Sequence, residues 1–486
     1  MTLVGSVGTR AICALGTLAM LACASGGDGE ARLVQANKHE DERETASSAP
    51  APAAKGSAEE TAEAAPALRE ENPSASADTP SVKADHPMAV DESESHARLR
   101  KLLEYDPEDP LGNLDEADRL AGDVAAASVE EGGPCREDRP MQRLFSDPYR
   151  VALTAAGNDF VAAAYVKDKS GEHVRLLHVP DKGKPRPLPP FKLPVPHEKT
   201  RVAPPGLVAR DRAQVTLAVV DGSGHLLVSE LGLGSSKTGV HTRVVHDGID
   251  SRFAPAIVHV EGGTVVAFTL GTTPMRTLVA RVPASSAQPK ITDITPPGLS
   301  AAAPSFVDGH SPPWLVALDA RAANSHVLTA PLDKEGVPKV GEIAAPVGMT
   351  PGSTELAAVF DGKRARVAYV GIGSESTTAI GLVDLNPATP PIALVKGTAY
   401  GPLHVSALRL GDESLFVADA PQTPGKDPKH DVQFTLIDRG GNRRVGFVRG
   451  GPSGASGVAV AKRADGLVGV AFTTTEAVYL SLLRCK

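Results

Sequence analysis

From Tyr149 to the C-terminus, apolar and polar positions alternate in short runs of period two, and tight polar turns separate the runs. That pattern predicts half-buried β-strands rather than helices. The runs recur as a unit. Each unit opens with an alternating strand and a polar turn. A second strand follows, centred on an apolar residue and an Ala. A third strand and a Val/Ile-rich fourth complete the unit. The second strands align best, at Phe160–Val166, Val215–Val220, Thr264–Leu270, Trp314–Leu318, Arg366–Val370, Leu415–Ala418 and Val468–Phe472. Their shared Ala falls at Ala164, Ala218, Ala267, Ala317, Ala368, Ala418 and Ala471, at steps of 49 to 54 residues. The first strands keep the same beat at Leu153, Val208, Val258, Val307, Val359, Leu408 and Val460.

Turn chemistry supports this division. Gly157-Asn158, Gly262-Gly263, Asp308-Gly309, Asp361-Gly362, Gly411-Asp412 and Asp465-Gly466 stand between first and second strands, where hairpin turns need φ > 0. The second unit has Arg210-Asp211-Arg212 there and lacks the Gly. Seven such units over residues 135–486 resemble the β-propeller superfold. The resemblance implies an all-β fold, a seven-bladed β-propeller of four-stranded antiparallel blades. No WD dipeptide, kelch glycine pair or Asp-box assigns a subfamily.

Ahead of the repeat the composition changes. Residues 1–22 read as a signal peptide, with Arg10 as the positive charge and an apolar run of 12 over Ala11–Ala22. That run is too short to cross a bilayer, which takes about 20 residues. It ends in Met20-Leu21-Ala22-Cys23-Ala24-Ser25, which resembles the lipobox of bacterial lipoproteins, with Met20 in place of the usual Leu. The resemblance implies that Cys23 is lipidated and that the chain is anchored in the cell envelope. Ala24 after the Cys implies outer-membrane sorting in a Gram-negative organism. Plain signal cleavage after Ala24 fits the same residues. Residues 23–134 form an acidic Ala/Glu/Ser/Pro-rich tether, expected to be disordered because it carries too little apolar surface to offset its ordering entropy. Helical spacing predicts short helices within it at 96–104 and 113–127. Residues 24–134 carry a net charge of −16 and residues 135–486 a net of +7, so the chain's total of −8 conceals two opposite halves.

The last unit supplies only three strands before Lys486. Met141–Phe145, just before the first unit, is the expected donor of the fourth. Of four cysteines, Cys13 lies in the signal and Cys23 at the lipobox. Cys135 and Cys485 then bracket the repeat array, and a disulfide between them is expected in an exported chain.

Candidate chemistry is sparse. Gly232 to Thr238 only faintly suggests a phosphate loop, since Ser236 and Leu231 stand where glycines are needed. His241 and His246 are oddly spaced on a predicted strand and make poor co-ligands. No catalytic motif, metal-ligand spacing or cofactor signature occurs. Aromatics at 4 % argue against a stacking platform for sugars or nucleic acid. Loops joining second to third strands, and fourth strands to the next unit, gather at one end of a propeller. The longest, Asp419–Asp431, carries Lys426, Lys429 and His430, which become the ligand-face candidates. The expected function is a monomeric, envelope-anchored binding or scaffold propeller for a protein or an anionic envelope polymer. The alternative is a hydrolase or lyase with its site at the channel mouth, which a cluster of perturbed His or carboxylates there would favour.

Overall fold

The computed structural model describes residues 128–486 except 130–132, 147–149, 170, 198–201, 235–240, 322–324, 348–349, 373–377, 399–402, 422–429, 450–454 and 475. Cys23, the two predicted helices, Lys426 and Lys429 lie outside the described residues. Among the described residues every regular element is a β-strand. The strands form antiparallel four-stranded units of the β-propeller kind. In the first, Val151–Ala156, Asp159–Asp168, Gly171–Val179 and Arg186–Lys192 are hydrogen-bonded in chain order. The later units repeat this order from the inner strands Gly206–Ala209, Ala256–Val260, Ala301–Asp308, Thr350–Phe360, Val405–Leu410 and Ser456–Lys462. A short parallel pairing, Val307 with Ala358 and Asp308 with Val359, joins two of them into one eight-stranded sheet.

The unit that begins at Ser456 takes its outer strand from the other end of the array. Cys135–Phe145 pairs antiparallel with Val478–Cys485, with Gln142 opposite Leu480 and Phe145 opposite Val478. The expected closing strand is therefore present and extends back to Cys135. Cys135 and Cys485 stand opposite each other at its start and are joined by a disulfide. The ladder itself is irregular, with three register shifts along the strand. A described strand also lies ahead of the expected boundary. Ser128–Val129 adds a fifth strand to the edge of the unit that begins at Val405, opposite Val448 and Arg449.

The core explains the shared Ala. All seven lie in second strands and are buried. Each large hydrophobic cluster joins two consecutive units. One packs Val161, Ala163 and Leu176 against Val215, Leu217 and Leu227. Another packs Leu153, Phe160 and Ala164 against Ala459, Ala471 and Leu480, joining the last unit to the first. Sheets pressed together on both faces leave least room near their inner strands, so a small side chain is required there.

Two turns show how local chemistry sets the hairpins. Gly309 sits at φ +77°, where an L side chain would be strained. The turn that lacks Gly uses Asp211, whose Oδ1 accepts hydrogen bonds from Ala213 N at 2.7 Å and Gln214 N at 2.9 Å. Gly222 has a different reason. Its N–H donates to Val195 O at 2.8 Å, and a Cβ there would meet Pro196 O at 2.0 Å. The linker between the first two units thus rests on bare backbone. Gly222→Ala should cost about 1–3 kcal/mol by forcing that linker away. The loss should appear as a lower urea midpoint at unchanged m-value; an unchanged midpoint would contradict the close contact.

Candidate functional site

At the end of the units where the inner strands begin, four ionisable side chains from distant parts of the chain meet. Arg150 immediately precedes the inner strand Val151–Ala156. Glu355 lies within Thr350–Phe360. His404 immediately precedes Val405–Leu410, and Asp419 ends the second strand beside it, Glu413–Pro421. Glu355 Oε1 accepts from Arg150 Nη2 and lies 2.7 Å from His404 Nδ1. Glu355 Oε2 accepts from Val405 N at 3.1 Å. Asp419 Oδ1 accepts from His404 N at 2.5 Å. A carboxylate only accepts, so the shared hydrogen bond places the imidazole proton on Nδ1 and leaves the lone pair on Nε2. His404 Nε2 makes no hydrogen bond among the described residues.

Burial and charge set the ionisation. Burial pushes the His404 imidazole down to about 4; the Asp419 carboxylate opposes that shift, and the Arg150 cation adds to it. Burial likewise pushes the Arg150 guanidinium down to about 10, against the pull of Asp419. At neutral pH His404 is therefore uncharged, with one ring nitrogen held and the other carrying its lone pair.

The local backbone is irregular at this end. Glu355 sits where the ladder of Thr350–Phe360 shifts register, between Pro351 and Leu356. The ladder of Ser456–Lys462 shifts around Gly457, which has φ +66°. A Cβ on Gly457 would lie 3.9 Å from both Arg150 Cγ and His404 Cδ2. The missing side chain keeps that space beside the imidazole open. In the inner strand Ala301–Asp308, Ala303 sits at φ +54° beside another register shift. Bulges of this kind re-aim side chains and recur near sites.

The opposite end carries ties between units. Arg409 N donates to Asp308 Oδ2 at 2.6 Å, Arg409 Nη1 donates to Gly309 O at 3.2 Å, and Lys462 Nζ donates to Arg409 O at 2.6 Å. Nearby, Arg366 is fully buried. It donates to Asp361 Oδ2 at 2.6 Å, Ser414 Oγ at 2.8 Å and Asp438 O at 2.9 Å. A second His–carboxylate pair, His197 and Glu172, lies between the first two units, Nδ1 to Oε2 at 3.1 Å. Burial pushes Glu172 up, but the His197 hydrogen bonds outweigh it and hold the carboxyl below its usual range. His197 Nε2 is buried, so this pair closes a seam and cannot meet a ligand.

Of the residues singled out in the sequence, Cys135 and Cys485 are brought together. His430 opens the strand His430–Ile437 opposite Pro421, two residues beyond Asp419. The four clustered residues were missed. A signal for them exists in the repeat. The position fourteen residues before the shared Ala holds Arg150, Pro204, Phe253, Ala303, Thr354, His404 and Gly457. Ionisable residues there occupy equivalent places in different units and so converge.

No family model and no curated protein matches this chain. Solved structures resemble it in fold. A lectin from Burkholderia pseudomallei is 16 % identical, with a TM-score of 0.48 over 69 % of this chain and 98 % of its own. A polysaccharide lyase is 11 % identical, at 0.46 over 70 % of this chain and 90 % of its own. A sialidase from Trypanosoma rangeli is 10 % identical, at 0.40 over 74 % of this chain and 59 % of its own. At these identities the likeness concerns the fold. The expectation of a binding or scaffold module for an unidentified partner is nonetheless corrected. What favours the alternative is the cluster itself, a perturbed histidine with carboxylates and a cation at the strand ends, which a passive scaffold leaves unexplained.

Proposed function

We propose that the chain is a seven-bladed β-propeller enzyme, a hydrolase or lyase, whose site is the end of the ring that holds Arg150, Glu355, His404 and Asp419. The seven-fold ring is supported by the order of contacts between inner strands. From Val151–Ala156 each touches the next, and Ser456–Lys462 returns to Val151–Ala156. One observation carries the enzyme reading. A neutral, buried imidazole has one nitrogen fixed by a carboxylate and the other without a hydrogen bond among the described residues, beside a cation, where the strand ends of several units converge. That is the arrangement of a general base with its orienting group.

A base titrating near 4 is weak in the empty site. Glu355 Oε1 is shared between Arg150 and His404, which suggests how it strengthens. A substrate carboxylate that draws Arg150 away leaves Glu355 Oε1 more fully to the imidazole. It also removes the cation that adds to the effect of burial on His404. Both changes raise the proton affinity of Nε2 when substrate is present. The reading therefore favours a substrate bearing a carboxylate, which contributes charge rather than an aromatic stacking surface. Polysaccharides enter as the substrate class to test first.

The purified chain should be assayed against polygalacturonate, alginate, chondroitin and sialyllactose, with arabinan as the uncharged control. Reducing-end release and ultraviolet absorbance of unsaturated products separate hydrolysis from elimination. Turnover of at least one carboxylate-bearing glycan is expected. Folded protein that turns over none of them would overturn the reading. We also propose that Cys23 anchors the protein in the envelope; an acyl mass on the N-terminal peptide of the cell-derived protein is expected.

A further inference from the structure

We propose that the Cys135–Cys485 disulfide is a redox switch for the candidate site: its reduction in the folded protein loosens the strand that delivers Arg150. The proposal rests partly on the enzyme reading, since it concerns the same site. Three observations lead to it.

The first is access. Cys135 is buried, but Cys485 is only partly so and lines an open groove of about 330 Å³. Lys462, Arg463 and Glu413 line the same groove. A small thiol can therefore enter the groove that Cys485 lines, and the Lys462 ammonium on its wall favours an approaching thiolate. The chemistry balances as ordinary exchange. A reductant thiolate attacks Cys485 Sγ, the bond between the two cysteine sulfurs breaks, and Cys135 leaves as a thiolate that takes up a proton. A second reductant thiol then releases Cys485 and leaves the reductant as its own disulfide.

The second observation is the irregularity of the ladder that the bridge holds. Cys135–Phe145 is the strand joined from the far end of the chain. Its pairing with Val478–Cys485 is interrupted between Glu137 and Arg139, between Arg139 and Gln142, and between Arg143 and Phe145. The other inter-strand ladders have no more than two such breaks. The bridge sits at the start of the strand and holds it against the least regular ladder of the fold.

The third is what the strand leads to. It runs from the bridge at one end of the unit to Phe145, five residues before Arg150 at the other end. Arg150 contacts Glu355 and bears on the charge of His404. In chain order the strand therefore leads from the groove at Cys485 toward Arg150, whose cation adds to the effect of burial on His404.

The test uses the full-length protein, treated with dithiothreitol and then alkylated and weighed intact to establish opening of the bridge. Amide hydrogen exchange is followed across the chain, and the His404 imidazole is titrated by NMR. In the reduced, still folded protein, exchange over residues 136–145 should be about tenfold faster or more, with the units between residues 151 and 449 unchanged. The His404 titration should move up from about 4, by only part of its shift because burial, the largest cause, stays. Both effects should reverse on reoxidation, and any glycan turnover should fall and recover with them. Unchanged exchange over 136–145, an unmoved His404, or a bridge that opens only on global unfolding would each overturn the switch. The double variant Cys135→Ser/Cys485→Ser should match the reduced protein; if it does not fold, the reduced wild type decides. Because exchange and titration need no substrate, a missing enzyme activity would leave the switch separately testable.

Discussion

His404→Gln should lower kcat/KM on any glycan turned over in the assay proposed above by about 10²–10⁴-fold, the usual worth of a positioned general base. Gln keeps a polar side chain but cannot take a proton at Nε2. The fold should survive, because Asp419 holds the backbone N–H of residue 404 rather than its ring. The pH dependence separates a base from a packing residue. In the free enzyme His404 loses its proton at about 4, so the acid limb of kcat/KM should fall as pH drops through about 4, not 6.5. The same shift acts on stability. The folded state binds the proton more weakly than the unfolded state, whose histidine titrates near 6.5. Stability is thus full above about 6.5 and is lost as pH falls toward 4. The loss is roughly 3 kcal/mol for a shift of this size. His404→Gln should remove that acid-dependent loss from urea titrations at stepped pH. A wild-type acid limb near 6.5, or a variant as active as wild type, would remove His404 from the site. Glu355→Gln should act in the same direction but less severely, since the amide can still orient the ring without stabilising an imidazolium.

Arg366→Leu should destabilise the protein by about 3–5 kcal/mol, the usual consequence of removing one partner of a buried ion pair. The Arg366 side chain is 2 % exposed and that of Asp361 fully buried. Asp361 cannot simply be released to solvent, because its Oδ1 also accepts from Lys363 N and Arg364 N, both at 2.8 Å, and holds the hairpin turn. Leu leaves that carboxylate without its strongest donor. It also leaves Ser414 Oγ and Asp438 O of the neighbouring unit without theirs. Chemical denaturation measures the loss. Asp361→Asn on the Arg366→Leu background should recover part of it by removing the stranded charge. A loss below about 1 kcal/mol would show that the network is no better than a surface pair. Activity should fall only as far as folding does, since Arg366 belongs to the tied end and not to the His404 end.

The sequence by itself determined the repeat, the strand order within a unit, the seven small positions and the partner of each terminal cysteine. These are legible because they rest on local periodicity. A strand buried on both faces near its inner neighbours must carry a small residue there, as Ala164 and Ala471 do, wherever the unit sits. The turn at Arg210-Asp211-Arg212 looked like an exception only because a carboxylate can do the work of a glycine.

What tertiary structure decided is the meeting of Arg150, Glu355, His404 and Asp419. They are spread over 270 residues, and none stands in a motif. Each is an ordinary polar residue near a strand end until the fold brings the ends of three units together. The ionisation of His404 was likewise beyond the sequence. It depends on burial and on a cation and a carboxylate that approach only through the fold. Periodicity is written along the chain and survives in any fold that keeps the period, whereas an electrostatic site exists only where ring closure sets charges a few ångströms apart.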